Sequence, residues 1–155
     1  MTLNLVLEKL KTIAAFTPEF EADEVSAAIN ESYHNLVEAH PALRNYSTYL
    51  EFLQLTGGAH IHNTDFSLGI YGFGGYIVTS FDEGLFLDSE RYFQFAEVLY
   101  PLHSNKEFVF AFDFKLKHDL IYISPLEHSN YILCSISFLE LLTNFADGIY
   151  LGLKP

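Results

Sequence analysis

"FVFAFDFKLK", residues 108–117, sets Phe108, Phe110, Phe112, Phe114 and Leu116 in alternation with Val109, Ala111, Asp113, Lys115 and Lys117. A period of two places the aromatic set on one face of a strand, while the other face turns polar toward its end. Working outward, His118-Asp119 turns the chain into a second extended run, Leu120 to Ser124, and Tyr131 to Cys134 supplies a third. Upstream, Ser67 to Tyr71 and Tyr76 to Thr79 read as strands around Gly72, Gly74 and Gly75, a hairpin-type connection.

Helical periodicity flanks these strands. Leu3, Leu7, Leu10 and Ala14 recur at helical spacing until Thr17-Pro18 closes the pattern. Val25, Ala28, Ile29, Tyr33, Leu36 and Val37 form a second stripe, with Glu21, Asp23 and Glu24 near its start, where carboxylates suit the helix dipole. His40-Pro41 interrupts that stripe, and a third helix carries Tyr49, Leu50, Phe52, Leu53 and Leu55 before running into Gly57-Gly58. Glycine closes a helix at positive φ without the penalty a β-carbon imposes, so the pair has a geometric role first. Ser137-Phe-Leu-Glu140 has capping-box spacing, and Phe138, Leu141, Leu142 and Phe145 stripe a last helix that stops before Gly148. Helices, a strand meander, then a helix mean an α+β fold: one domain over residues 1–155, with an antiparallel sheet covered on one face.

Charge bounds the function. Twenty carboxylates against eight Lys plus Arg give a net charge of −12, which argues against nucleic-acid binding because phosphate contacts need cations. The acid is uneven: seven carboxylates lie from Glu19 to Glu51 against Arg44 alone, and five from Asp82 to Glu97 against Arg91. Fields of one sign attract proteins of the other and speed their encounter. The apolar runs stay short of the roughly 18–20 residues that span a bilayer, and the first sixteen residues do not read as a signal peptide. A single cysteine, Cys134, allows no internal disulfide and fits a reducing cytoplasm.

Candidate chemistry is sparse. His60-x-His62 places two imidazoles on one side of an extended segment, but a metal needs a third ligand at a recognisable spacing, so a partly exposed loop pair is expected. Gly72-Phe73-Gly74-Gly75 is followed by strand-like residues rather than a helix start, which disfavours a phosphate loop. Cys134 sits in an apolar run and is expected to be a buried, inert thiol. Ser135 and Ser137 lack the glycine-flanked elbow of a nucleophilic serine. These residues point to no enzyme, cofactor or metal centre.

Tyr49-Leu-Glu-Phe52-Leu53 followed by Gly57-Gly58 resembles the tyrosine, phenylalanine-leucine and double-glycine signature of the SUKH superfamily, immunity proteins similar to yeast cell-wall assembly regulators. Ser137-Phe138 and its helix resemble the family's closing element, and Leu120 to Ser124 the strand before it. The resemblance implies a non-enzymatic cytoplasmic module that binds and neutralises a toxin domain, of nuclease or deaminase type. Such a toxin is basic, which matches the acidic balance of this chain, and the expected contacts are Asp82, Glu83, Asp88 and Glu90, then Glu19, Glu21, Asp23 and Glu24. A regulatory or scaffold protein of the cell-wall regulator type is the alternative, and a small-ligand or metal-binding domain using His60 and His62 a further one.

Overall fold

A computed structural model describes residues 2–20, 28–73, 87–88, 91–126 and 130–153. Helix α1 (Leu3–Ile13) starts at Thr2, whose side chain accepts the Leu5 N–H, and buries Leu3, Val6, Leu7 and Leu10 at helical spacing. The chain then enters strand β1 (Ala15–Pro18), so Thr17-Pro18 does more than close the helix. Proline fits there because β1 lies at the edge of the sheet, where a missing N–H costs little. Helix α2 (Ala28–Ala39) buries Leu36 and Val37; the residues expected to start it, Val25 included, lie outside those described. A 3-10 turn (Pro41–Asn45) follows at the interruption that His40-Pro41 signals.

Helix α3 (Ser47–Thr56) buries Tyr49, Leu50, Phe52 and Leu53 and ends at Gly57, in the left-handed region at φ 68°. Strands β2 (Ala59–His62), β3 (Ser67–Ile70), β4 (Leu87–Asp88), β5 (Tyr92–Tyr100), β6 (Lys106–Asp113), β7 (Leu120–Pro125) and β8 (Ile132–Ser137) precede helix α4 (Phe138–Ala146). The sheet runs β1-β2-β3-β5-β6-β7-β8 with every neighbouring pair antiparallel, and β4 pairs with β5 beside the end of β3. The expected α+β meander with flanking helices is thus the observed architecture.

Cross-strand partners share a face, so the register sorts the side chains. Phe16, Ile61, Leu68, Val98 and Phe108 form one row on the inner face, and Phe93, Phe112 and Ile121 another. The helices cover this side: Tyr49 of α3 lies 5.2 Å from the Phe112 ring and 5.3 Å from Phe138 of α4, and Phe145 lies 4.8 Å from Phe66. Each fully buried aromatic ring contributes about 1.5–3 kcal/mol through burial alone. Tyr49 is fully buried, yet its hydroxyl is satisfied by donating to the Tyr71 carbonyl at 3.2 Å.

Two expectations change. The 108–117 strand stops at Asp113, where the chain turns, Leu116 N–H bonding back to the Asp113 carbonyl at 3.2 Å, and Asp113 is buried on the outer face instead of facing solvent. His60 and His62 lie on strand β2 rather than in a loop. Strand β5, the longest described, which the sequence did not single out, shows no clean alternation because a bulge between Gln94 and Ala96 changes which residues face inward. Tyr76 to Thr79, Gly74 and Gly75 fall outside the described residues.

Candidate functional site

The outer face of the sheet, turned away from the helices, divides into two parts. One row runs Ala15, His62, Ser67, Leu99, Glu107, and the next runs Thr17, His60, Gly69, Glu97, Val109, Ser124. From β1 through β5 these positions are exposed or half-exposed, and Glu107 at the start of β6 is exposed too. Further along, Val109, Ala111, Asp113, Tyr122 and Ser124 are buried, so the outer face is open over one part and covered over the other.

The covered part is held by an ion pair. Arg91 Nε lies 3.0 and 3.1 Å from the two Asp113 carboxylate oxygens, and Nη2 donates to Oδ2 at 2.8 Å. The Lys115 N–H donates to Oδ1 at 3.0 Å. Burial pushes the Asp113 carboxyl up, but these donors and the Arg91 charge outweigh it and hold it below its ordinary value. The guanidinium also lies 5.1 Å from the Tyr92 ring centre, and Tyr92 stacks on Tyr131, whose hydroxyl accepts from Gln94 at 2.7 Å. Arg91 is therefore committed to structure and does not offset the carboxylates of the open part.

The open part carries Glu97 and Glu107 on neighbouring strands. Partial burial and then the Glu107 charge push the Glu97 carboxyl above its ordinary value, against a hydrogen bond from Tyr71 that pulls it down. Gly69 lies beneath this carboxylate: a β-carbon there would sit 3.9 Å from Glu97 Oε1. No ion pair reaches Glu97 or Glu107 among the described residues. His60 and His62 stack with ring centres 4.8 Å apart, and His60 Nε2 is 2.7 Å from Ser67 Oγ. Burial, then the neighbouring His62, lowers the His60 pKa, favouring the neutral ring. With one nitrogen engaged by Ser67, this pair offers a polar contact surface; among the described residues no cluster of three or more potential ligands surrounds a metal position.

The motif residues occupy a different place. Tyr49, Phe52, Leu53 and Phe138 are buried together, with the Phe52 and Phe138 rings 5.5 Å apart. Ser137 caps α4 through a reciprocal capping box with Glu140. Gly57 and Gly58 are buried at the end of α3, where the Gly57 carbonyl accepts from Phe73 at 2.8 Å and the Gly58 carbonyl from Glu19 at 2.8 Å. These residues build the joint between helices and sheet, and all but the half-exposed Ser137 are buried.

Of the expected contact residues, Glu19 is only 9% exposed, and Asp88 pairs through its backbone opposite Tyr92. Asp82, Glu83, Glu90, Glu21, Asp23 and Glu24 lie outside the described residues. Cys134 is half-buried rather than fully so, and burial raises its thiol pKa to about 11, which keeps it protonated at neutral pH. Sequence reasoning missed Glu97 and Glu107 as one surface; recognising β5 and its register with β6 was the signal needed. No helix among the described residues is long and apolar enough to cross a membrane. No protein-family model, characterised protein or solved structure matches this chain.

Proposed function

We propose that this chain is a non-enzymatic protein-binding module that captures a basic protein, and that its partner is a toxin domain of nuclease or deaminase type neutralised by an immunity protein of the SUKH kind. The observation that carries the binding reading is the open sheet surface with Glu97 and Glu107 side by side and no ion pair among the described residues, in a chain of net charge −12. Strands hold the backbone beneath these carboxylates in place, so little backbone ordering is added to the cost of binding. The acidic stretches that include Asp82, Glu83, Asp88 and Glu90 and Glu21, Asp23 and Glu24 would add to the same long-range field. The toxin identity rests on the motif resemblance and the cytoplasmic setting on the cysteine usage.

The test is co-expression with the product of the adjacent reading frame. A complex that co-purifies, and that loses affinity when Glu97 and Glu107 are both changed to lysine, supports the proposal. Failure of that product to bind removes the toxin reading, and a complex indifferent to the double substitution removes the surface.

A further inference from the structure

Tyr71 stands one residue past β3, two beyond Gly69, so its side chain shares the outer face, yet it is only 5% exposed. Its backbone is clamped on two sides. The Tyr71 N–H donates to the Phe95 carbonyl at 2.8 Å, and its carbonyl accepts the hydroxyl of Tyr49, on α3, at 3.2 Å. The phenol carried on this fixed backbone donates to the Glu97 carboxylate, and a charged acceptor makes that bond a strong one.

Gly69 gives the carboxylate room to be held. It pairs with His60 on β2 and with Glu97 on β5, so the row between those two side chains is empty. Glu97 leans into the gap: its Cγ and Oε1 lie 3.8 and 3.9 Å from where a Gly69 β-carbon would stand, on the side of β5 away from Glu107 on β6. Among the described residues, the titratable groups around this pair are His60 across the gap, Glu107, and Tyr131 beside Tyr71. A surface glutamate ordinarily gives up rotamer freedom when it binds, and one already held by a buried phenol gives up less.

We infer that Tyr71 is a positioning residue of the capture surface: its phenol holds the Glu97 carboxylate over Gly69 as a preformed acceptor for one cationic side chain of the partner. The inference rests on the proposed reading of that surface. Long-range attraction follows the total charge, which the phenol leaves alone, so Tyr71 acts after encounter, on the lifetime of the complex.

Carbon-13 NMR titration of the free chain reads the Glu97 carboxyl directly. Tyr71→Phe should raise its pKa, because a hydrogen bond favouring the charged form is gone, and Glu107→Gln should lower it. Tyr150→Phe, which removes a 3.0 Å phenol–carboxylate bond to Asp65 elsewhere, should leave it unchanged. In Glu97→Gln, a substitution at the exposed end of the pair, the Tyr71 hydroxyl proton should move upfield as it loses a charged acceptor. Stopped-flow at mildly alkaline pH with the adjacent-frame product reads the function: Tyr71→Phe should associate within about twofold of wild type and dissociate about fivefold faster, and Tyr150→Phe should match wild type in both. A Glu97 titration and a Tyr71 hydroxyl signal indifferent to these substitutions overturn the inference. So does an unchanged dissociation rate in Tyr71→Phe while Glu97→Lys/Glu107→Lys slows capture, an outcome that leaves the proposed function standing. A product that does not bind overturns the proposed function, and the role of Tyr71 in capture falls with it.

Discussion

Gly57 and Gly72 meet where the α3 C-terminus touches the sheet, and two substitutions separate their roles. Gly57 sits at φ 68°, so Gly57→Ala should cost the ~1–2 kcal/mol of a left-handed residue carrying a β-carbon. At Gly72 a β-carbon would lie 1.8 Å from the Gly57 carbonyl oxygen, a backbone atom without an easy escape. Gly72→Ala should therefore exceed the ~1–3 kcal/mol of ordinary overpacking, and urea titration of both variants ranks them. An equal loss in the two would contradict the close approach. Asp113 yields a pH prediction. Its folded pKa lies below the ordinary 3.8, so its stabilising effect is present above that value and is lost as pH falls through the folded pKa. Asp113→Asn should lower stability at neutral pH and flatten its decline below about pH 4; parallel acid-unfolding curves would show that the Arg91 pairing adds nothing.

At the scale of elements, α4 depends on its start. Ser137→Ala removes the acceptor of the Glu140 N–H and should cost about 1 kcal/mol, read as a lower melting temperature without a change in fold. Elements whose periodicity is unbroken were legible from sequence: α1, α3 and α4 appear where Leu10, Phe52 and Leu141 recur at helical spacing, and the Ser137 to Glu140 cap is as its spacing suggested. Strand β5 was not legible. Phe93 and Phe95 alternate correctly, but the bulge puts Ala96 on their side and breaks the period within nine residues. Strands β1 and β2, four residues each, are too short to show a period, so the shared side of His60 and His62 was legible but not which face of the sheet it belongs to. Asp113 read as a wet position because a lone carboxylate is ordinarily exposed, and its partner Arg91 lies 22 residues away in the chain. The candidate surface was legible as acidity but not as geography, since Glu97 and Glu107 become neighbours through pairing, not sequence.

For the whole molecule, capture of a cationic partner by a chain of charge −12 weakens as ions screen the attraction. Acid acts on the partner surface as well. Protonation of His60, whose pKa burial lowers, adds positive charge to the same outer face, two strands from Glu97, so capture should slow as His60 takes up its proton in acid. The most direct measurement is stopped-flow association of the adjacent-frame product with the wild-type chain and with Glu97→Lys/Glu107→Lys over a salt series. The wild-type rate should fall steeply with salt, and the variant should be roughly tenfold slower or more at low salt, with both rates converging at high salt. Rates that coincide at low salt and stay flat across the series would contradict capture by this acidic surface.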